Sequence, residues 1–83
     1  MRRIESSAFC ECRNLKVVEM NNDLEYILDA AFYSCHKLKK VKFAKKLKKI
    51  AYGAFYSTNL KKITLPEGLT GIGPNAFARC HLK

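Results

Sequence analysis

The chain is short of nearly everything that catalysis or membrane insertion would require. No apolar run in its 83 residues approaches the roughly 18 that a membrane span needs, so no transmembrane segment is expected. The opening stretch, Met1-Arg2-Arg3-Ile4 then Glu5-Ser6-Ser7, lacks the apolar core of a secretory leader. No signal peptide is expected there. Acidic residues number only 7, against 16 Lys and Arg, and they are scattered. Neither histidine has a Ser or Cys partner beyond its chain neighbour, in Cys35-His36 and Cys80-His81. No glycine-rich phosphate loop occurs; Gly71-Ile72-Gly73-Pro74 reads as a turn between units. Neither enzymatic activity nor a cofactor is expected.

The surplus is as informative. The net charge is +9, which draws polyanions in general and selects none of them. Apolar residues make up 48%, too many for a chain disordered by composition. The length fits a single domain, of a size that buries only roughly 60% of its unfolded surface.

Five letters recur. AFCEC stands at 8–12, AFYSC at 31–35, AFYST at 54–58 and AFARC at 76–80. The pairs Ala8-Phe9, Ala31-Phe32, Ala54-Phe55 and Ala76-Phe77 are spaced by 23, 23 and 22 residues. Ile4, Ile27, Ile50 and Ile72 keep those spacings. Leu15, Leu38, Leu60 and Leu82 follow at 23, 22 and 22, because the third and fourth units lose one residue before the leucine. Three more apolar columns lie between: Val18, Val41, Ile63; Met20, Phe43, Leu65; and Leu24, Leu47, Leu69. The units run 4–26, 27–49, 50–71 and a partial 72–83. The stretch L-x-x-V-x-F has period two and reads as a short strand. The stretch I-x-x-x-A-F-x-x-C reads as a turn or short helical segment. One such unit cannot bury its own apolar face, whereas stacked units bury a continuous core.

L-x-x-V-x-[FL] resembles the strand signature of leucine-rich repeats. The longer unit, I-x-x-x-A-F-x-x-C-x-x-L-x-x-V-x-[LF], resembles the BspA-like subclass. The third unit, IAYGAFYSTNLKKITLPEGLTGIG, is the best match, and the resemblance runs from residue 4 to 82. It implies an α/β repeat: a curved solenoid of about three and a half rungs, short parallel strands on the concave side, and short turn or helical segments. It also implies adhesion or protein binding, on the cell surface or in a secreted protein. One departure concerns the proline turn that ends family strands. Only the third unit has it, at Pro66; Ala44-Lys45-Lys46 and Asn21-Asn22-Asp23 replace it in the others.

Four cysteines raise the question of a disulfide framework or a metal. Cys12, Cys35 and Cys80 share a column that Thr58 fills in the third unit. A column that accepts threonine wants a small, nearly buried side chain, and free cysteine behaves that way. A disulfide framework is the rival. Cys10-x-Cys12 lacks the spacing of zinc ligands. The two Cys-His pairs stand two units apart, roughly 10 Å at the usual strand spacing. No metal is expected.

Lysines crowd the second unit. On its strand, Lys40 and Lys42 point opposite to Val41 and Phe43, as Lys62 and Thr64 do around Ile63. In the first unit the same positions are Val17 and Glu19. The expected exposed strip is therefore Val17, Glu19, Lys40, Lys42, Lys62 and Thr64, with Lys45, Lys46, Lys48 and Lys49 on the loop beyond. Two readings stand: a solvated face whose lysines guard open strands, and a strip that binds a protein partner or an acidic surface polymer. Specific nucleic-acid binding is not expected, because no aromatic platform for base stacking is interleaved there. Phe9, Phe32, Phe43, Phe55 and Phe77 are assigned to the core, and Tyr33 and Tyr56 to a half-exposed convex position. A further possibility is self-assembly, with solenoid ends stacking as open sheet edges.

Overall fold

The computed structural model describes residues 2–80; Leu82 and His81 of the columns above lie outside the described residues, as does Met1. Among the described residues there are six strands: β1 (Arg3–Ile4), β2 (Val17–Glu19), β3 (Tyr26–Ile27), β4 (Lys40–Lys42), β5 (Lys49–Ile50) and β6 (Gly71–Ile72). They form two parallel sheets. One has the order β1-β3-β5-β6, and the other pairs β2 with β4. Register is that of the sequence repeat, with Ile4 opposite Ile27, Ile27 opposite Ile50 and Ile50 opposite Ile72. This is a repeat fold of parallel strands in which each unit lies on the next.

The four-stranded sheet falls at the isoleucine column, where turns were expected. Lys49 is thus a strand residue rather than a loop residue, and Gly71-Ile72 is a strand rather than part of a turn. The expected sheet at L-x-x-V-x-F exists only in the first two units. Residues 62–64 form no strand. The third unit has lost one residue between Thr58 and Leu60, and its chain falls out of step: Asn59 N donates to Leu38 O at 2.8 Å. Among the described residues, no backbone bond joins 60–65 to the second unit.

No helix occurs among the described residues, so none is long and apolar enough to cross a membrane. Of the two readings of the A-F segment, the turn is the one that forms, as a run of linked turns. Ala8 N donates to Glu5 O, Cys10 N to Ser7 O and Cys12 N to Phe9 O, at 3.1–3.2 Å. The amides in between point to the next unit: Ser7 N to Asp29 O, Phe9 N to Ala31 O and Glu11 N to Tyr33 O, at 2.7–3.0 Å. Units two and three repeat this alternation. It requires a left-handed residue on each side of the A-F pair. Ser7, Ala30, Gly53 and Asn75 fill the first such column, and Glu11, Ser34, Ser57 and Arg79 the second, with φ from 54° to 59°. Left-handed backbone costs a non-glycine residue roughly 1–2 kcal/mol. Here the cost is offset because in the first two units every amide of the segment finds a partner, local or in the neighbouring unit. A helix would turn all of those amides inward and leave the units unbonded.

The core lies between the two sheets and the turn segment. Ile27, Ala31, Phe32, Cys35, Leu38, Leu47, Ile50, Ala54, Phe55 and Leu60 are at most 1% exposed. The phenylalanines form a ladder. Ring centroids are 5.2 Å apart for Phe9–Phe32, 5.0 Å for Phe32–Phe55 and 5.4 Å for Phe55–Phe77, all stacked, while Phe43 meets Phe55 edge-on at 5.6 Å. Tyr33 and Tyr56, half-buried, stack likewise at 4.9 Å. Phe9 departs from its expected core position and is 42% exposed, because no described unit covers that side of its ring.

Candidate functional site

All six residues of the expected strip line one open groove of about 990 Å³. Strand β4 builds its floor. Val41 turns inward while Lys40 and Lys42 stay exposed. On β2, Val17 faces Lys40 and Glu19 faces Lys42 in register. Lys62 and Thr64 line the far side even though their segment is not a strand. The groove also contains Lys39 and Lys61, which strand alternation alone did not select. A signal for them was present in the sequence: Lys16, Lys39 and Lys61 share a repeat position at spacings of 23 and 22.

Two lysines outside the groove are ion-paired, and among the described residues none of those inside it is. Outside the groove, Lys46 Nζ meets Asp23 Oδ1 at 3.3 Å. Glu25, its side chain 17% exposed, sits between Arg2 at 3.6 Å and Lys48 at 3.3 Å. Positions 2, 25 and 48 are one repeat column, so this is a charge ladder across three units. None of Lys39, Lys40, Lys42, Lys61 and Lys62 joins an ion pair among the described residues. Exposed pairs contribute little, about 0–1 kcal/mol each. In the groove, five lysines stand against a single carboxylate, Glu19.

The cysteine column is structural. Cys35 Sγ donates to Phe9 O at 2.9 Å and Cys80 Sγ to Phe55 O at 3.1 Å. Thr58 Oγ1 lies 3.1 Å from Cys80 Sγ. A small side chain with one donor suits this position, which is why Thr and Cys alternate there. The four cysteines are unpaired, and among the described residues no three His, Cys, Asp or Glu side chains are placed to hold a metal ion. Burial pushes the Cys35 thiol above its ordinary range; a backbone hydrogen bond from Cys12 works against this, and the neighbouring Cys12 and Cys10 add to it.

A raised folded value means the thiol holds its proton more tightly in the native state. Its stabilising contribution is complete below the unfolded value and is lost as pH rises through the folded one. Native-state alkylation followed by mass spectrometry is therefore expected to modify Cys35 last. The urea midpoint should fall at alkaline pH, and fall less in Cys35→Thr, which keeps the donor without that titration. Equal alkylation of all four thiols in the folded protein would contradict the assignment.

Across residues 1–83 the chain matches the model of the BspA type leucine rich repeat region. No curated protein matches it. Two solved structures superpose closely. A leucine rich cell surface protein from Faecalibacterium prausnitzii A2-165 is 33% identical, with a TM-score of 0.91, over 94% of this chain and 21% of the other. A leucine-rich repeat protein from Bacteroides ovatus ATCC 8483 is 30% identical, with a TM-score of 0.90, over 100% of this chain and 22% of the other. The chain thus spans about a fifth of the length of these relatives. Leucine-rich repeats of this kind are in general interaction modules rather than enzymes. The repeat columns, the parallel sheets and the match over the full sequence agree, and the chain belongs to the BspA-type leucine-rich-repeat family.

Proposed function

We propose that the chain is an interaction or adhesion module of a cell-surface protein, which presents the groove of Val17, Glu19, Lys40, Lys42, Lys62 and Thr64 to an acidic partner. The units 4–26, 27–49, 50–71 and the partial 72–83 act as one domain, a short solenoid of about three and a half rungs with this groove as its concave face. The observation that carries the reading is the set of groove lysines without ion-pair partners. A surface location is supported by the cell-surface description of the Faecalibacterium relative.

Affinity in such a groove comes from charge and weakens as salt screens it, over about 8–10 Å at physiological ionic strength. The test must separate the groove from net charge alone. Poly-L-glutamate is titrated into Lys40→Glu with Lys42→Glu, and into Lys37→Glu with Lys45→Glu, which lie outside the groove and change the net charge equally. The groove pair is expected to weaken binding at least about tenfold more, or about 1.4 kcal/mol, with an unchanged circular dichroism spectrum. Equal losses in the two pairs would mean non-specific polyanion attraction and would remove the groove from the account.

A second reading rests on the apolar surface of the first and fourth units. Phe9 is 42%, Val17 49% and Ile72 51% exposed. A cleft of about 350 Å³ opens among Ile4, Phe9, Leu15, Val18, Met20 and Leu24. Stacking of copies end to end would cover it. Light scattering after size exclusion should then show a dimer or larger species at low and high salt alike, lost in Ile72→Lys. A monomer at both salts would rule this reading out.

A further inference from the structure

We infer that the two ends of the stack are the complementary halves of one contact, so that a second copy docks head to tail, its first unit against the fourth unit of the copy before it. This rests on the reading that the chain assembles through its ends, and fixes which end meets which. Contacts between units obey one rule throughout the chain. In the turn segment, amides of one unit donate to carbonyls of the next: Phe9 N to Ala31 O, Phe32 N to Ala54 O and Phe55 N to Ala76 O, at 2.7–2.8 Å. In the four-stranded sheet they donate backwards: Leu28 N to Ile4 O, Ala51 N to Ile27 O and Gly73 N to Ile50 O, at 2.7–2.9 Å. The outer units keep the unused halves of this pattern. Among the described residues, the amides of Asn75, Phe77 and Arg79 have no acceptor, and the carbonyls of Thr70 and Ile72 no donor. At the other end, the carbonyls of Ser6, Ala8 and Cys10 have no donor, and the amides of Arg3 and Glu5 no acceptor.

The same rule applied across two copies pairs these groups one to one. Asn75 N meets Ser6 O, Phe77 N meets Ala8 O and Arg79 N meets Cys10 O, while Arg3 N meets Thr70 O and Glu5 N meets Ile72 O. Head against head would set carbonyl against carbonyl in the turn segment and leave them unpaired. Side chains agree with this polarity. Phe77 of one copy would stack on Phe9 of the next, which is 42% exposed, and so continue the ring ladder. The column Glu11, Ser34, Ser57, Arg79 ends in opposite charges. Both charged members are exposed, and neither joins an ion pair among the described residues. Head to tail, Arg79 falls beside Glu11. No cations are brought together, since the columns of Arg2 and Arg3 end in Thr70 and Gly71. A contact between two different surfaces does not close on itself as a two-fold dimer does, and a straight stack of such contacts adds copies without limit.

The experiment is sedimentation equilibrium over a concentration series, at low ionic strength. The mass of the wild-type protein is expected to rise past twice 9.5 kDa with no plateau there. Glu11→Arg and Arg79→Glu, each with an unchanged circular dichroism spectrum, should separately weaken association by about tenfold, because each sets like charges together at every junction. An equimolar mixture of the two variants should regain the wild-type affinity, since every junction between unlike chains again joins opposite charges. A plateau at the dimer, single variants that associate as the wild type does, or a mixture no stronger than its components would overturn the head-to-tail polarity while keeping assembly through the ends. A monomer at every concentration would overturn both.

Discussion

Phe55→Ala is expected to lower stability by about 3–5 kcal/mol, the range for a large aromatic removed from a packed core. Phe55 is the most heavily engaged ring in the molecule. It is fully buried, stacks on Phe32 at 5.0 Å and on Phe77 at 5.4 Å, and takes the edge of Phe43 at 5.6 Å. Alanine removes aromatic contacts worth about 0.5–1.5 kcal/mol per pair beyond area and leaves a void that two flanking rings, held at the stack pitch, cannot close. The total stability of a small domain is only about 5–15 kcal/mol, so urea denaturation should show a loss of a large part of it. Phe9→Ala is the control in the same column. That ring is 42% exposed with one stacked neighbour, and its loss should cost about 1 kcal/mol. Equal effects at the two positions would show that the ladder is not the core.

Gly73→Ala should cost about 3 kcal/mol, the upper part of the overpacking range, and act locally. A β-carbon there would lie 2.6 Å from Tyr52 N and 2.8 Å from the Ala51 carbonyl carbon. Both are backbone atoms and cannot swing aside. The same column carries Leu28 and Ala51 in earlier units, so the close approach belongs to the fourth unit, where Gly73 N donates to Ile50 O at 2.7 Å. The variant should lift residues 71–80 away and expose the amides of Gly53 and Phe55, which donate to Pro74 O and Ala76 O. Amide hydrogen exchange would report this as lost protection there, with the first two units unaffected. Gly53→Ala is the contrast. Its φ of 59° strains an alanine, but the nearest atom to a new β-carbon is 3.8 Å away, and Ala30 already holds that column at 54°. The expected loss is about 1 kcal/mol.

The repeat was legible because each column is a packing requirement repeated on identical neighbours. Isoleucine, alanine-phenylalanine and leucine positions stack as their spacing demands. The face of β4 followed from period two, and the six strip residues do share a groove. What the letters hid lies in the backbone. The sheet at Arg3–Ile4, Tyr26–Ile27, Lys49–Ile50 and Gly71–Ile72 has strands too short for an apolar period. The A-F segments, read as turns or short helices, are turns, and these depend on left-handed residues as varied as Ser7, Glu11, Ala30 and Arg79, which no composition rule marks. The lost strand at 62–64 follows from one deleted residue, visible in the spacing but not in its effect. Lys39 and Lys61 escaped selection because alternation was applied only within the expected strands, and both residues precede them.

Each strand pairs only with its counterpart in the unit before or after it, and this has a mechanical consequence. Tension applied to the two ends of the stack loads one inter-unit layer at a time, and the layers are in series. The molecule should peel rather than snap, releasing one unit of 23 residues per event and roughly 80 Å of extended chain. A stack built this way lengthens under load in small steps, and each released unit can re-dock on the template its neighbour still presents.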